Sequence, residues 1–114
     1  MKYSLKDANE IGWEGFKAWV YNTSEDFPNL SGLYIELSNR HGKVKSTKSD
    51  RAYLVLEGKG LFTIDGKDIP VEEMDLVIVP KDTPYDYKTE GGTVKMFLIH
   101  SPAYDRDAEV KLDE

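Results

Sequence analysis

Short runs rich in valine, isoleucine, leucine, tyrosine and phenylalanine are separated along the chain by glycine- or proline-bearing turns. That rhythm predicts an all-β sandwich or barrel. Strands are expected over residues 17–21, 33–37, 43–46, 51–56, 60–64, 76–79, 85–89 and 93–100. Asp65-Gly66, between Phe62-Thr63-Ile64 and Lys67-Asp68-Ile69, predicts a tight hairpin, because a type I′ turn needs positive φ at its central residues. Glu57-Gly58-Lys59-Gly60 and Glu90-Gly91-Gly92 read as further turns. No segment holds a helical period; the nearest, residues 4–16, is interrupted by Gly12 and Gly15.

A length of 114 residues predicts one domain, 1–114, with a core barrel over about 30–102. The tail, 103–114, is polar and acidic and is expected to fray or lie on the surface. A hydrophobic fraction of 39% and a charged fraction of 32% fit a soluble globular domain. No apolar run reaches the roughly 18 residues of a bilayer-spanning helix, so no membrane partner is expected. The first residues, MKYSLKDANE, lack an apolar core and a small-residue cleavage site, so no signal peptide is expected. Cysteine is absent, which excludes disulfides, thiolate metal sites and a cysteine nucleophile. A cytoplasmic location is the default expectation.

The net charge of −6 repels phosphate backbones, so no nucleic-acid partner is expected. The charge is uneven. Residues 40–51 hold Arg40, Lys43, Lys45, Lys48 and Arg51 against the single acid Asp50. This reads either as a solvated basic edge or as a positive site for an anionic ligand.

Two stretches carry a family resemblance. Residues 53–60, Tyr-Leu-Val-Leu-Glu-Gly-Lys-Gly, resemble the strand and turn that close the first cupin motif. Residues 75–85, from Asp75 through Pro80 and Pro84 to Tyr85, resemble the second. Pro102 suits the closing strand. The resemblance covers about residues 33–102 and implies an all-β cupin-type double-stranded β-helix, a small jelly-roll barrel. Metal-binding cupins place two histidines and a glutamate in the first motif and a histidine in the second. Here the glutamate position falls on Arg51 and the second-motif histidine on Tyr85. The paired histidines fall on Lys45 and Thr47, or on Val44 and Ser46, depending on the gap. A guanidinium is always protonated and has no lone pair to give a metal. The resemblance therefore implies the fold without the metal, and neither a metal nor another cofactor is expected.

Strand alternation puts Arg51, Tyr53 and Val55 on one face. The expected ligand-binding set is Arg51, Tyr53, Tyr85, Tyr87, Lys45, Thr47 and Glu36. Arginine grips a carboxylate or phosphate with paired N–H groups, and tyrosines offer flat walls with one hydroxyl each. Three readings stay open. One is a metal-free binder of a small polar or anionic metabolite, sugar-like or carboxylate. The second is a metal-independent isomerase, epimerase or lyase acting on a sugar-like substrate, with Tyr85 or His100 as candidate catalytic groups. The third is a filled barrel serving as a non-catalytic dimerisation scaffold. His41, in Asn39-Arg40-His41-Gly42, reads as an exposed turn residue without a role. Trp13, Phe16, Trp19 and Tyr21 form a cluster that reads as core and lid packing or as a dimer face. Small cupins of this kind often pair through N-terminal strands, so a homodimer is expected.

Overall fold

The computed structural model describes residues 1–112. Eleven strands form two antiparallel sheets. They are β1 (Asn9–Trp13), β2 (Phe16–Val20), β3 (Ser31–Leu37), β4 (Val44–Ser46), β5 (Asp50–Glu57) and β6 (Gly60–Ile64). There follow β7 (Lys67–Val71), β8 (Leu76–Val79), β9 (Tyr85–Thr89), β10 (Val94–Ser101) and β11 (Glu109–Lys111). The larger sheet runs β1-β2-β3-β10-β5-β8 and the smaller one β11-β4-β9-β6-β7. Pairing between non-consecutive strands, β3 with β10 and β6 with β9, is the crossing pattern of a jelly roll. All eight expected strands are present, with ends shifted by a residue or two.

Alternation explains the packing. On the larger sheet Val20, Leu33, Leu98, Tyr53 and Val77 pair across neighbouring strands and all point inward. Ala18, Ile35, Met96 and Val55 form the adjoining inner row. Phe62, Tyr85 and Tyr87 meet them from the smaller sheet. Their burial is the main stabilising contribution, at roughly 1.5–3 kcal/mol for each large apolar side chain.

Three expectations are corrected. Residues 9–13 form β1, which pairs with β2 and needs no long apolar run because only Ile11 and Trp13 share its inner face. Of the expected tail, the described part lies on the barrel surface in regular structure: Arg106–Ala108 make a 3-10 turn, and β11 pairs with β4. The barrel therefore extends beyond 30–102, from β1 to β11, and Asp113 and Glu114 of the expected tail lie outside the described residues. The aromatic cluster is divided. Phe16 is in the core, Trp13 stacks on it at 4.5 Å, and Trp19 and Tyr21 face outward.

Two turn glycines differ in what surrounds them. Gly58 has φ of 91° and a side chain there would meet the Thr93 carbonyl oxygen at 2.6 Å. Gly66 has φ of 81° with open space beside it. Gly66→Ala is expected to cost about 1 kcal/mol, the left-handed backbone penalty alone. Gly58→Ala adds a backbone clash and is expected to cost more than about 2 kcal/mol. Urea unfolding followed by tryptophan fluorescence measures both; equal losses would contradict the close approach at Gly58.

Candidate active site in the barrel

A cavity of about 380 Å³ lies between the two sheets. The larger sheet lines it with Phe16, Arg51, Tyr53 and His100; the smaller sheet with Tyr87 and Glu109. Trp13, His41 and Lys111 complete the wall. A more open depression of about 410 Å³ lies around Lys43, Thr63, Asp68 and Lys88. Its buried carboxylate, Asp86, is already paired with Arg40.

His41 corrects the sequence reading. It does sit in a turn, but the turn folds against β9 and turns the imidazole into the cavity wall. The His41 backbone N–H donates to the Tyr87 carbonyl at 2.9 Å. Asp86, on the outer side of β9, pairs with Arg40 and accepts from the Gly42 N–H at 2.9 Å. One carboxylate thus clamps both residues flanking His41. The imidazole stacks on Tyr87 at 4.6 Å and meets Phe16 edge-on at 4.8 Å. Tyr87 in turn stacks on Phe62 at 4.9 Å, so a column of rings runs from core to cavity.

The tautomer follows from the contacts. His41 Nδ1 lies 2.9 Å from the Gly42 carbonyl oxygen, which only accepts, so Nδ1 carries the proton. Nε2 is left with a lone pair. Burial lowers the His41 pKa to about 4, and the positive charges of Arg51 and Lys111 add to that. They outweigh the Gly42 carbonyl and Asp86, which favour the cation. His41 is therefore a neutral base at pH 7. His100 is fully buried, and its pKa is also pushed well down by burial and by Arg51. Its Nδ1 has no hydrogen-bond partner among the described residues.

Arg51 is buried at 4% exposure. Its guanidinium forms an ion pair with Glu109 of β11 and donates to the Tyr85 hydroxyl. The Tyr85 and Tyr53 hydroxyls are 2.7 Å apart. Arg51 can only donate, so Tyr85 accepts from it and passes its own proton toward Tyr53. The Tyr53 O–H is thereby left to donate onward, with the Tyr87 hydroxyl beside it as one hydrogen-bond partner. Burial holds the Tyr53, Tyr85 and Tyr87 phenols well above the ordinary value, so all three are neutral donors at pH 7. Arg51 Nε is buried without a partner.

The expected site residues divide. Arg51, Tyr53 and Tyr87 line the cavity. Tyr85 does not; it lies behind Tyr53 with its hydroxyl engaged by Arg51 and Tyr53. Lys45 and Thr47 are corrected: β4 turns Val44 and Ser46 inward, so Lys45 and Thr47 take the outer side, and Thr47 bonds to the Ala108 carbonyl. Glu36 is corrected too, because β3 turns Leu33, Ile35 and Leu37 inward and Glu36 accepts from Tyr34 outside. His41, Glu109 and Lys111 were missed.

The inward positions where related barrels hold a metal are thus Val44, Ser46, Arg51 and Tyr85. A divalent transition metal needs imidazole or carboxylate donors converging at about 2 Å. An alkyl group, a hydroxyl, a guanidinium and a neutral phenol do not fit it. Among the described residues no three His, Cys, Asp or Glu side chains converge as a metal ion requires.

Glu109→Gln leaves a guanidinium buried without a counter-charge and is expected to cost up to about 3 kcal/mol in urea unfolding. Arg51→Met combined with Glu109→Leu removes both charges and is expected to recover most of that loss. If the double variant is as unstable as the single one, the ion pair is not the cause. Both histidines have depressed pKa values, so the unfolded chain binds protons that the folded chain refuses. Their stabilising contribution is complete above the ordinary value of 6.5 and is lost as pH falls below it, the His41 share through about 4. Melting temperature across pH 7 to 4 is expected to fall, and a His41→Gln variant to fall less steeply.

A family model described as cupin domain matches residues 41–100. Among curated relatives, an uncharacterised Aquifex aeolicus protein is 24% identical over 86 residues, 75% of this chain and 71% of its own length. An acireductone dioxygenase of Bacillus mycoides is 30% identical over 86 residues, 70% of this chain and 48% of its own length. The chain thus spans about half of that relative. Among solved structures, Streptomyces PAC13 superposes with a TM-score of 0.86 at 23% identity, over 98% of this chain and 90% of its own, and is described as a nucleoside dehydratase. It has also been solved with uridine in a His-to-Gln and in Tyr-to-Phe variants. KdgF from a Halomonas species superposes with a TM-score of 0.78 at 12% identity, over 90% of this chain and 94% of its own. The family match over more than half of the residues, on a jelly-roll barrel, makes this chain a member of the cupin domain family, one that lacks the family's usual metal-ligand residues.

Proposed function

We propose that the barrel is a metal-independent lyase site that eliminates water from a small sugar-like or nucleoside-like substrate. The carrying observation is His41: a neutral imidazole with a free Nε2 lone pair, clamped by Asp86 and aligned on Tyr87 in a cavity that also receives the Tyr53 hydroxyl. Pure binding needs no such base, and a filled scaffold has no such cavity.

In the proposed step His41 Nε2 takes a proton from a substrate carbon. The C–H electron pair becomes the new double bond, and the C–O bond on the neighbouring carbon breaks. Tyr53 gives its proton to the departing hydroxyl, which leaves as water. The phenolate that forms is stabilised through the Tyr85 hydroxyl by Arg51. Return of the His41 proton to Tyr53, directly or through solvent, resets the site. A base this weak needs a C–H made acidic by an adjacent carbonyl, so the substrate class is an oxidised sugar or nucleoside. The aromatic wall of Trp13, Phe16 and Tyr87 suits a flat base or sugar face. Likeness to a nucleoside dehydratase supports this reading.

The test uses uridine as binding probe and its 5′-aldehyde as reactant. Wild-type protein is expected to release water from the aldehyde and form a conjugated alkene, followed by ultraviolet absorbance and proton NMR. His41→Gln should lower kcat by at least about a hundredfold, and Tyr53→Phe by about ten- to a hundredfold. Uridine binding by calorimetry should change little in either. The kcat/KM profile should lose activity only below about pH 4, where His41 becomes protonated. An acid limb near the ordinary 6.5, or turnover unchanged by His41→Gln, would overturn the assignment of the base.

A further inference from the structure

We infer, resting on the lyase reading above, that the substrate is anionic: Arg106 and Lys111, at the mouth of the barrel cavity, bind a phosphate monoester carried at the far end of the oxidised sugar or nucleoside. The chain has a net charge of −6, yet three cations, Arg51, Arg106 and Lys111, line the cavity against one carboxylate, Glu109. Arg51 and Glu109 neutralise each other in the buried ion pair. The two lining histidines are held neutral and add no charge. Arg106 and Lys111 therefore give the cavity its positive surplus. Among the described residues neither forms an ion pair. The acids beside Arg106 are turned elsewhere. Asp105 pairs with Lys48 at 3.2 Å and accepts from the Asp107 N–H, and Asp107 is exposed outside the cavity lining.

Both cations are placed by the fold. β11 pairs Glu109 with Ser46 and Lys111 with Val44, the two inward positions of β4, so Lys111 shares the inner side of β11 with Glu109. The Lys111 ammonium lies 5.6 Å from the Trp13 ring centroid, and this cation–π contact holds it beside the half-exposed indole. Its field reaches the His41 ring, where it disfavours protonation. Arg106, exposed on the 3-10 turn, comes to the same cavity with Tyr104. A phosphate monoester carries close to two negative charges near pH 7 and accepts charge-assisted hydrogen bonds from both cations. Two unmatched cations fit a dianion better than the single charge of a carboxylate. A positive cavity on an acidic chain also concentrates an anion at its mouth. The reacting carbon then meets His41 and the buried Tyr53, while the phosphate stays toward solvent and keeps its bond to the sugar.

Calorimetry on the full chain compares ribose with ribose 5-phosphate, and uridine with uridine 2′-monophosphate. In each phosphate the charged group sits on a carbon outside the proposed elimination. The phosphate is expected to bind at least about tenfold more tightly than its parent in one pair or both, and that ratio to fall as salt is raised from about 50 to about 500 mM. Arg106→Gln combined with Lys111→Gln should bring the ratio down to about two or less, whereas Lys111→Arg should keep it. Both positions are exposed, and melting followed by circular dichroism checks that each variant is folded. Ratios near one in both pairs, no binding of either phosphate, or a preference that survives the double variant would overturn the anion site. Wild-type turnover of the uridine 5′-aldehyde separates the two proposals. No turnover with the preference intact removes the lyase reading and leaves the anion site standing; turnover without any preference removes the anion site alone.

Discussion

A guanidinium inside the barrel must be neutralised where it lies, and the arrangement of the site follows from how Arg51 achieves this. Removing a charge from water costs several kcal/mol unless a partner of opposite charge and good hydrogen bonds replace the lost hydration. Arg51 is held by Glu109 on one side and by the Tyr85 hydroxyl on the other. Glu109 belongs to the last described strand, so the C-terminal segment must fold back onto β4 to deliver it. Val110 and Lys111 complete that pairing, and Lys111 reaches over the Trp13 ring at 5.6 Å. One buried charge thus ties the C-terminal strand to the barrel wall and fixes the line of phenols beside it.

The same charge governs the histidines. Its positive field adds to burial in keeping His41 and His100 unprotonated. A neutral imidazole accepts a proton; an imidazolium does not. Through its field Arg51 helps decide which form of the His41 ring faces the cavity. Asp86 acts oppositely in charge but in concert in geometry. From the outer side of β9 it clamps the turn, while its negative charge raises the His41 pKa less than burial lowers it.

The fold was legible because alternation and turn residues are local. Asp65-Gly66 and the apolar runs mark strands without reference to the rest of the chain. Arg51, Tyr53 and Tyr87 were legible for the same reason, since period two assigns their face once the strand is placed. Lys45, Thr47 and Glu36 were misplaced because β4 and β3 each offered two registers, and one residue of slip exchanges inner for outer. β1 and β11 escaped notice because each buries very little of itself: from β1 only Ile11 and the half-exposed Trp13 reach the core side, and β11 is polar. His41 was hidden for a different reason. A turn flanked by arginine and glycine reads as solvated, and only the distant Asp86 and the Tyr87 carbonyl draw it inward.

A cupin barrel whose metal-ligand positions hold a guanidinium and a phenol can stabilise negative charge in another way, through the hydroxyl chain from Arg51. A metal ion lowers the energy of an oxyanion by direct contact. Here the Arg51 guanidinium, itself at the cavity wall, is linked to the Tyr53 hydroxyl through that of Tyr85. Charge-assisted hydrogen bonds are about twice as strong as neutral ones, and each link in such a chain polarises the next. The effect on Tyr53 is to make its proton easier to give and its phenolate easier to bear, against the burial that otherwise disfavours the anion. Removal of a single preorganised donor at an oxyanion costs on the order of a hundred- to a thousandfold in rate. A relay of that strength suffices for an elimination in which the carbon acid is already activated by its own carbonyl.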